Sequence, residues 1–321
     1  MLVKILKTNQ TTAYITFFII TILFFALKVL GFNEINLNLS HPILYSFSSF
    51  FIKNPFLAKS IICILSLLTA MGWNNSLIDR GIFKSVSSMP ALFFILFSNV
   101  FNVSSVWLCV FILLFVLNKL MLCFNLDRPY SLLFESGFLI GIATLINPLC
   151  LFFFMVVFVA NIIYVNHSWR NFLIPTIGLF VPFFMKWSYG YYFDCLDVFY
   201  NFYFGYFKLT VPSFILSFPF LLWYVIMLVL FFFSIKELIL WLNMKSLRSR
   251  KGFYLLFAYS VCAFITLFFT KNSWNTLLFF VLPFSALISN YFMFIYKRWW
   301  YESLFVFIVI STIYLQLSSI L

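Results

Sequence analysis

Long apolar segments, separated by short polar stretches, repeat along the whole chain. A helix needs about 17 to 25 mostly apolar residues to cross about 30 Å of hydrocarbon, and these segments repeatedly reach that length. Each segment is a continuous block rather than an alternation of apolar and polar residues, which favours membrane helices over a membrane barrel. The pattern predicts spans at residues 12–31, 56–73, 87–99, 104–124, 131–146, 147–164, 172–188, 212–234, 253–270, 276–295 and 302–320.

Two of these segments, 87–99 and 131–146, are short for a free-standing span. Pro90 and the pair Asn147-Pro148 interrupt the chain there, because proline removes a backbone donor and disfavours helix at the residue before it. Each short segment can therefore be half of a hairpin whose turn is buried in protein. The predicted fold is an all-α polytopic integral membrane protein of about eleven transmembrane helices, or about nine if both short hairpins are re-entrant.

The composition excludes a soluble globular domain. Of the 321 residues, 64% are hydrophobic and 9% are charged, and the mean hydropathy is +1.09, whereas soluble domains are about 45 to 50% apolar and about 25% charged. The net charge of +12 comes from basic residues dispersed between apolar runs, which is typical of cytoplasmic loops and argues against nucleic-acid binding. Fifty phenylalanines beside many Ile, Leu, Asn and Lys residues indicate an AT-rich bacterial genome.

The cysteines and the N-terminus add two expectations. The six cysteines form no Cys-x-x-Cys pair, and all but Cys195 lie in apolar runs, which predicts small buried side chains and neither a metal site nor a disulfide. No cofactor is evident. Lys4 and Lys7 precede an apolar stretch from Ala13 to Leu30 that is too long for a signal-peptide core and lacks a cleavage motif, so it is predicted to be a retained first span.

Basic residues predict the orientation, because lysine and arginine near span ends are retained on the cytoplasmic side. With a cytoplasmic N-terminus, eleven crossings place all but six of the 20 Lys and Arg residues inside, including every arginine. The six outside are Lys28, Lys53, Lys59, Lys186, Lys208 and Lys271. The chain is therefore expected in the bacterial cytoplasmic (inner) membrane as a multi-pass protein whose partner is the lipid bilayer.

Charged residues on the inner side have more than one interpretation. The basic stretch from Lys236 to Lys251 can hold anionic lipid headgroups, or it can serve topology alone. Lys119 and Glu135 lie near inner helix ends, where polar side chains can snorkel, so neither is expected to need a partner in the bilayer.

Function is expected on the outer side, where the loops at residues 31–54 and 189–211 are longer than the others. Their acidic residues and histidine are Glu34, His41, Asp194 and Asp197. The second loop is also rich in tyrosine and phenylalanine. Such rings can stack on sugars, or they can form an aromatic belt at the membrane interface, and both interpretations stay open.

The order of these features resembles the GT-C class of polytopic glycosyltransferases, which use polyprenyl-phosphate sugars. The shared features are one span, a long external loop with a carboxylate, short paired spans and a second long external loop after the seventh span. Residues 41–45, HPILY, look like the HPPLYY phrase of that class. The run from Gly137 and Gly141 to Asn147-Pro148 looks like its G-x-x-x-G-x-x-x-x-x-K-P phrase.

The resemblance covers roughly residues 12–211. It implies a GT-C-like module at residues 1–211, followed by C-terminal transmembrane helices at residues 212–321. The chain has Glu34 where that class usually has an aspartate, and Asn147 where it often has a lysine. Either change is compatible with a degenerate scaffold. The whole chain is also similar to an uncharacterised family of Phe-rich inner-membrane proteins from Bacteroidota, a resemblance that implies no activity.

The GT-C resemblance implies sugar transfer from a polyprenyl phosphate during envelope glycan assembly. Glu34 is then the expected catalytic base that deprotonates the acceptor hydroxyl, and basic groups or a divalent metal neutralise the leaving phosphate. The candidates for substrate binding are His41, Lys53, Lys59, Lys186, Asp194, Asp197 and Lys208. Glu34 can instead be a solvated residue at a helix end, and His41 can be part of a polar turn before Pro42.

Two other functions fit the same sequence. A catalytically silent membrane scaffold of the same fold agrees with the small number of polar residues. A transporter or flippase of a lipid-linked substrate often has inverted repeats with broken helices in both halves. The sequence has breaks near Pro90 and Pro148, but residues 212–320 contain no counterpart of them.

Overall fold

The computed structural model describes residues 11–30, 51–83, 87–164, 168–193, 203, 217–270, 273–294 and 298–318. Of these residues, 87% are helical and none lies in a strand. The α-helices are α1 (Thr11–Leu30), α2 (Pro55–Asp79), α3 (Met89–Ser98), α4 (Val106–Leu122), α5 (Tyr130–Ile146), α6 (Phe154–Tyr164), α7 (Trp169–Tyr192), α8 (Phe218–Leu242), α9 (Leu247–Leu267), α10 (Ser273–Thr276), α11 (Leu278–Phe294) and α12 (Arg298–Ser318). A 3₁₀ helix, Pro148–Phe153, precedes α6.

Each predicted apolar segment overlaps a helix, and residues 147–164 contain the 3₁₀ helix followed by α6. Five helices, α2, α7, α8, α9 and α12, are long and apolar enough to cross a membrane. Apart from α1, the other apolar helices in the described residues have 10–17 residues. An all-α chain with several helices of membrane length is thereby confirmed, while the number of crossings stays a prediction.

Two of the prolines mark helix boundaries, as the sequence predicted. Pro90 lies in the first turn of α3, where its missing N–H has no intrahelical partner to lose. Asn147 ends α5 in an extended conformation, with φ −140° and ψ 114°, and Pro148 begins the 3₁₀ helix. The predicted break between residues 146 and 148 is confirmed.

The centre of the bundle is built by α3 and α11. All ten residues of α3 are buried, so this short helix lies inside the protein, as expected for a hairpin with a buried turn. The Phe93 and Phe292 ring centroids are 4.9 Å apart, and those of Phe97 and Phe284 are 5.2 Å apart. Helices on both sides of the predicted 211/212 boundary therefore share one core, and the boundary itself lies outside the described residues.

Glycines bring α5 and α7 into backbone contact. A Cβ at Gly137 would lie 2.1 Å from the carbonyl oxygen of Pro175, and one at Gly178 would lie 2.4 Å from that of Phe134. Small residues allow such close approach of membrane helices, which increases van der Waals packing where lipid supplies no hydrophobic driving force. Gly137 and Gly141, two positions of the GT-C-like phrase, thus have a packing role.

The outward faces of the long helices are apolar. Phe180 and Phe184 on α7 are 65% and 71% exposed, and Phe232 on α8 is 67% exposed. Monomeric soluble proteins rarely expose large contiguous apolar surfaces. These faces are suited to contact with lipid chains.

Candidate anion-binding site at one end of the bundle

Three of the predicted site residues lie in the described part of the chain. Lys53 precedes α2 and is exposed, whereas Lys59 in α2 and Lys186 in α7 are each 8% exposed. The remaining candidates lie outside the described residues: Glu34, His41, Asp194, Asp197 and Lys208. Of the predicted site, the structure therefore describes three of the lysines and none of the acidic residues.

Lys28, in the last turn of α1, is more deeply buried than these lysines, at 1% exposed. Its Nζ lies 4.4 Å from the ring centroid of Trp107 and has no hydrogen-bond partner among the described residues. A cation–π contact is worth about 2 kcal/mol when desolvated, whereas burying an ion costs several kcal/mol. The ring alone does not offset that cost, so the position is suited to a bound counter-ion.

Lys59 is a second buried lysine in this region. Lys28 and Lys59 both lie close enough to Cys63, one turn further along α2, for their charges to act on its thiol. Two buried lysines therefore lie near the junction of α1 and α2. An anion bound between them would interact favourably with both charges, because opposite charges attract strongly in a medium of low dielectric constant.

Lys186 is held by a tyrosine from the second long loop. Its Nζ donates a hydrogen bond to the Tyr203 hydroxyl at 3.0 Å, and the hydroxyl donates to the Leu145 carbonyl oxygen at 2.9 Å. Burial raises the pKa of Tyr203, so its hydroxyl stays protonated and keeps the second bond. Tyr203 thus joins the loop to the end of α5 and orients the ammonium of Lys186.

Lys28 and Lys186 lie at the same end of the bundle. Trp107, beside Lys28, is in the first turn of α4, and the Cys109 thiol is 3.7 Å from the Ala143 carbonyl oxygen in the last turn of α5. Lys186 is tied to Leu145 in that same turn. We call this region, with Lys28, Lys59 and Lys186, the Lys28 end.

Asn147 has a structural role in the place where the GT-C phrase has lysine. Its side-chain oxygen accepts a hydrogen bond from the backbone N–H of Leu149 at 3.1 Å and caps the 3₁₀ helix. The side chain is 8% exposed. A capping carboxamide carries no charge for a phosphate, so any basic contribution at this end comes from the lysines.

Metal ligands and disulfides do not occur in the described part of the chain. No group of three His, Cys, Asp or Glu side chains there could hold a metal ion. The described cysteines, Cys63, Cys109, Cys123, Cys150 and Cys262, are buried and free. The prediction that they are small buried side chains is confirmed for these five, and Cys195 lies outside the described residues.

Charged residues at the opposite end make contacts that the sequence did not predict. Lys119 Nζ lies 2.5 Å from a Glu135 carboxylate oxygen, and Arg80 Nε donates to the Asn118 side-chain oxygen at 2.8 Å. The expectation that Lys119 and Glu135 need no partner is corrected, because α4 and α5 pack side by side and bring the two together.

Sequence reasoning used Lys28 for topology and missed it as a site residue. A lysine inside the apolar stretch of α1 is a signal that could have found it, since an ionisable residue within a membrane helix marks a functional position by default. Trp107 and Tyr203 carry no such local signal. Their roles follow from contacts with residues distant in the sequence.

Comparison with known proteins gives one match. The model of DUF6427, a family of unknown function, matches residues 1–320. No curated protein matches the chain. No solved structure matches it either. The chain therefore matches an uncharacterised family, as the sequence analysis predicted. The GT-C likeness and the Bacteroidota source stay predictions.

Proposed function

This chain belongs to DUF6427, a family of unknown function, and we propose that it binds a polyprenyl-phosphate-linked sugar through the lipid phosphate. The observation that carries this proposal is the Lys28 ammonium, buried and without a hydrogen-bond partner among the described residues. A phosphate supplies the missing negative charge and strong acceptor oxygens.

The surroundings of Lys28 favour a lipid as the source of that phosphate. On the two helices that carry Lys28 and Lys59, Ile22 and Leu23 of α1 are 64% and 49% exposed, and Phe56 of α2 is 66% exposed. Exposed apolar side chains therefore lie on both helices that carry these lysines. A lipid chain can lie on these side chains while its phosphate reaches the ammonium groups.

In the proposed topology the chain crosses a bacterial inner membrane about eleven times from a cytoplasmic N-terminus, and the Lys28 end faces the external leaflet. We further propose that residues 1–211 act as a GT-C-like module. Glu34 then takes the proton of the acceptor hydroxyl, whose oxygen bonds to the anomeric carbon of the sugar as the bond from that carbon to the phosphate oxygen breaks. The lysines neutralise the departing lipid phosphate. Such transfer would belong to envelope glycan assembly.

The test measures binding of radiolabelled polyprenyl phosphate to the full-length protein in phosphatidylcholine nanodiscs. Lys28→Met removes the charge at similar volume and should weaken binding about 10- to 100-fold, the usual value of a hydrogen bond to a charged group. Lys53→Met is the matched control, because Lys53 lies at the same end but is exposed. It should change binding about fivefold or less.

Transfer is tested separately with a labelled polyprenyl-phosphate sugar. Glu34→Gln should lower the rate by about a hundred- to ten-thousand-fold while binding is retained. If the wild type binds the lipid but transfers no sugar, the catalytically silent scaffold is the function that remains. Movement of the lipid across the membrane would indicate a flippase. Equal binding by the wild type and Lys28→Met would overturn the proposed site.

A further inference from the structure

The end of the bundle opposite Lys28 contains a cavity of about 280 Å³. We call it the Lys245 cavity. It lies between α8, the start of α9, the end of α11 and the turn after α2. Its polar wall is formed by Lys245, Ser246 and Ser249, and its apolar wall includes Phe83, Trp241 and Phe294.

Lys245 is held in this wall by an amide and two rings. Its Nζ donates to the Asn290 side-chain oxygen at 2.5 Å and lies 4.4 Å and 4.9 Å from the ring centroids of Phe253 and Phe294. Asn290 is 0% exposed, and its Nδ2 has no hydrogen-bond partner among the described residues. The ammonium is therefore held at the cavity wall by a carboxamide and two aromatic rings.

Neighbouring groups add to the positive potential. Ser246 caps the N-terminus of α9, the end at which a helix carries partial positive charge. Arg250 donates to the backbone oxygens of Asn243 and Lys245 at 3.3 Å and 3.4 Å, which fixes the turn between α8 and α9. An acidic group, Glu237, also lies beside the cavity wall, where it accepts a hydrogen bond from Trp241 Nε1 at 2.7 Å.

The same turn has exposed apolar side chains. Met244 is 75% exposed and Leu247 is 66% exposed, on either side of Lys245 and Ser246. Apolar side chains beside basic ones are typical of segments that lie at a membrane interface. A free phosphate would gain nothing from the aromatic wall or from these side chains, whereas a phospholipid can use both.

We propose that the Lys245 cavity binds the phosphate headgroup of an anionic phospholipid, with the acyl chains lying against the apolar face of α8. Ile239 and Leu240, 65% and 63% exposed, provide that face near the cavity. In the proposed topology this is the cytoplasmic leaflet, where anionic lipids attract basic segments. The inference does not depend on substrate binding at the Lys28 end.

The experiment uses the full-length protein extracted from nanodiscs of phosphatidylglycerol and phosphatidylcholine, with the retained lipids counted by native mass spectrometry. The wild type should retain phosphatidylglycerol in preference to phosphatidylcholine. Lys245→Met should reduce that preference about tenfold or more. Lys236→Met removes an exposed lysine on the same end, outside the cavity wall, and should reduce it about fivefold or less.

A second measurement does not depend on the stability of a Lys245 variant. Phosphatidylglycerol with brominated acyl chains should quench tryptophan fluorescence more than brominated phosphatidylcholine does, and Trp241→Phe should remove the excess. Added inorganic phosphate should leave the excess unchanged, and competition by it would show a site for free phosphate instead. The proposal would be overturned if the wild type retained both lipids equally. It would also be overturned if the excess quenching by brominated phosphatidylglycerol persisted in Trp241→Phe.

Discussion

Lys28 and Lys245 lie at opposite ends of the bundle, and their ammonium groups make different contacts. The Lys28 ammonium has the face of Trp107 and no hydrogen-bond partner among the described residues. The Lys245 ammonium has the Asn290 carboxamide as well as two rings, and it forms part of a cavity wall. Under the proposed function, Lys28 depends on a ligand for its counter-charge, whereas the Asn290 carboxamide stabilises Lys245 within the protein.

The largest expected effect on stability is at the crossing of α5 and α7, which places Lys186 at the Lys28 end. Gly137→Ala places a methyl group 2.1 Å from the Pro175 backbone oxygen, where no flexible side chain can move aside. We expect a loss of about 3 kcal/mol or more in stability, with α7 displaced and Lys186 separated from Leu145. Thermal unfolding and monodispersity in detergent measure the effect.

Gly72→Ala is the matched control for that substitution. A Cβ at Gly72, in the middle of α2, would lie 3.6 Å from a Leu114 methyl group, which is ordinary contact. The intrinsic helix propensity of alanine predicts an unchanged or raised stability, by up to about 1 kcal/mol. A similar loss in both variants would contradict the backbone contact between α5 and α7.

The two lysines themselves give the next largest effects, with opposite signs. In lipid-free detergent, Lys28→Met should raise the free energy of unfolding by about 1 to 4 kcal/mol, because it replaces a buried charge with an apolar side chain of similar volume. Lys245→Met should lower it by about 1 to 3 kcal/mol, because the buried Asn290 oxygen loses its donor.

Thermal shift measurements on the two variants compare these signs directly. Addition of polyprenyl phosphate should then stabilise the wild type more than Lys28→Met. If both variants are destabilised to the same extent, the two ends are equivalent and the contrast drawn between them is wrong.

The smallest effect is expected where a lysine already has its counter-ion. Lys119 and Glu135 form an ion pair with side chains that are 33% and 45% exposed. Exposed pairs contribute about 0 to 1 kcal/mol, so Lys119→Met and Glu135→Gln should each shift stability within that range. Chemical denaturation of the two single variants and the double variant measures the coupling, and a coupling above about 2 kcal/mol would mean that the pair is effectively buried.

The helical segments could be predicted from the sequence because each follows from local chemistry. A continuous apolar block must satisfy its backbone hydrogen bonds internally, which requires a helix, and a proline limits where that helix begins or ends. The segment 131–146 corresponds to Tyr130–Ile146 in the structure, and the break at Asn147-Pro148 is where the sequence put it. Segment 212–234 is shifted to Phe218–Leu242, since the helix continues through Lys236 and Glu237 near its end.

The site was only partly predictable. The sequence indicated Lys59 and Lys186 as basic residues on one side of the membrane, and both are buried at the Lys28 end. It did not indicate that Lys28 meets Trp107 or that Tyr203 ties Lys186 to Leu145. The roles of Glu34, His41, Asp194, Asp197 and Lys208 stay predictions, because these residues lie outside the described part of the chain.

By itself, the sequence determined that the chain is apolar and helical and that a helix ends before Pro148, because hydropathy and proline geometry act over a few neighbouring residues. Only the tertiary structure decided that Gly137 is a backbone contact, that Asn147 is a cap and that Lys119 pairs with Glu135. It also decided that Lys28 faces the ring of Trp107 and that Lys245 donates a hydrogen bond to the Asn290 carboxamide. These outcomes depend on which helices pack together, and an apolar block fits many neighbours equally well until side-chain shape selects one.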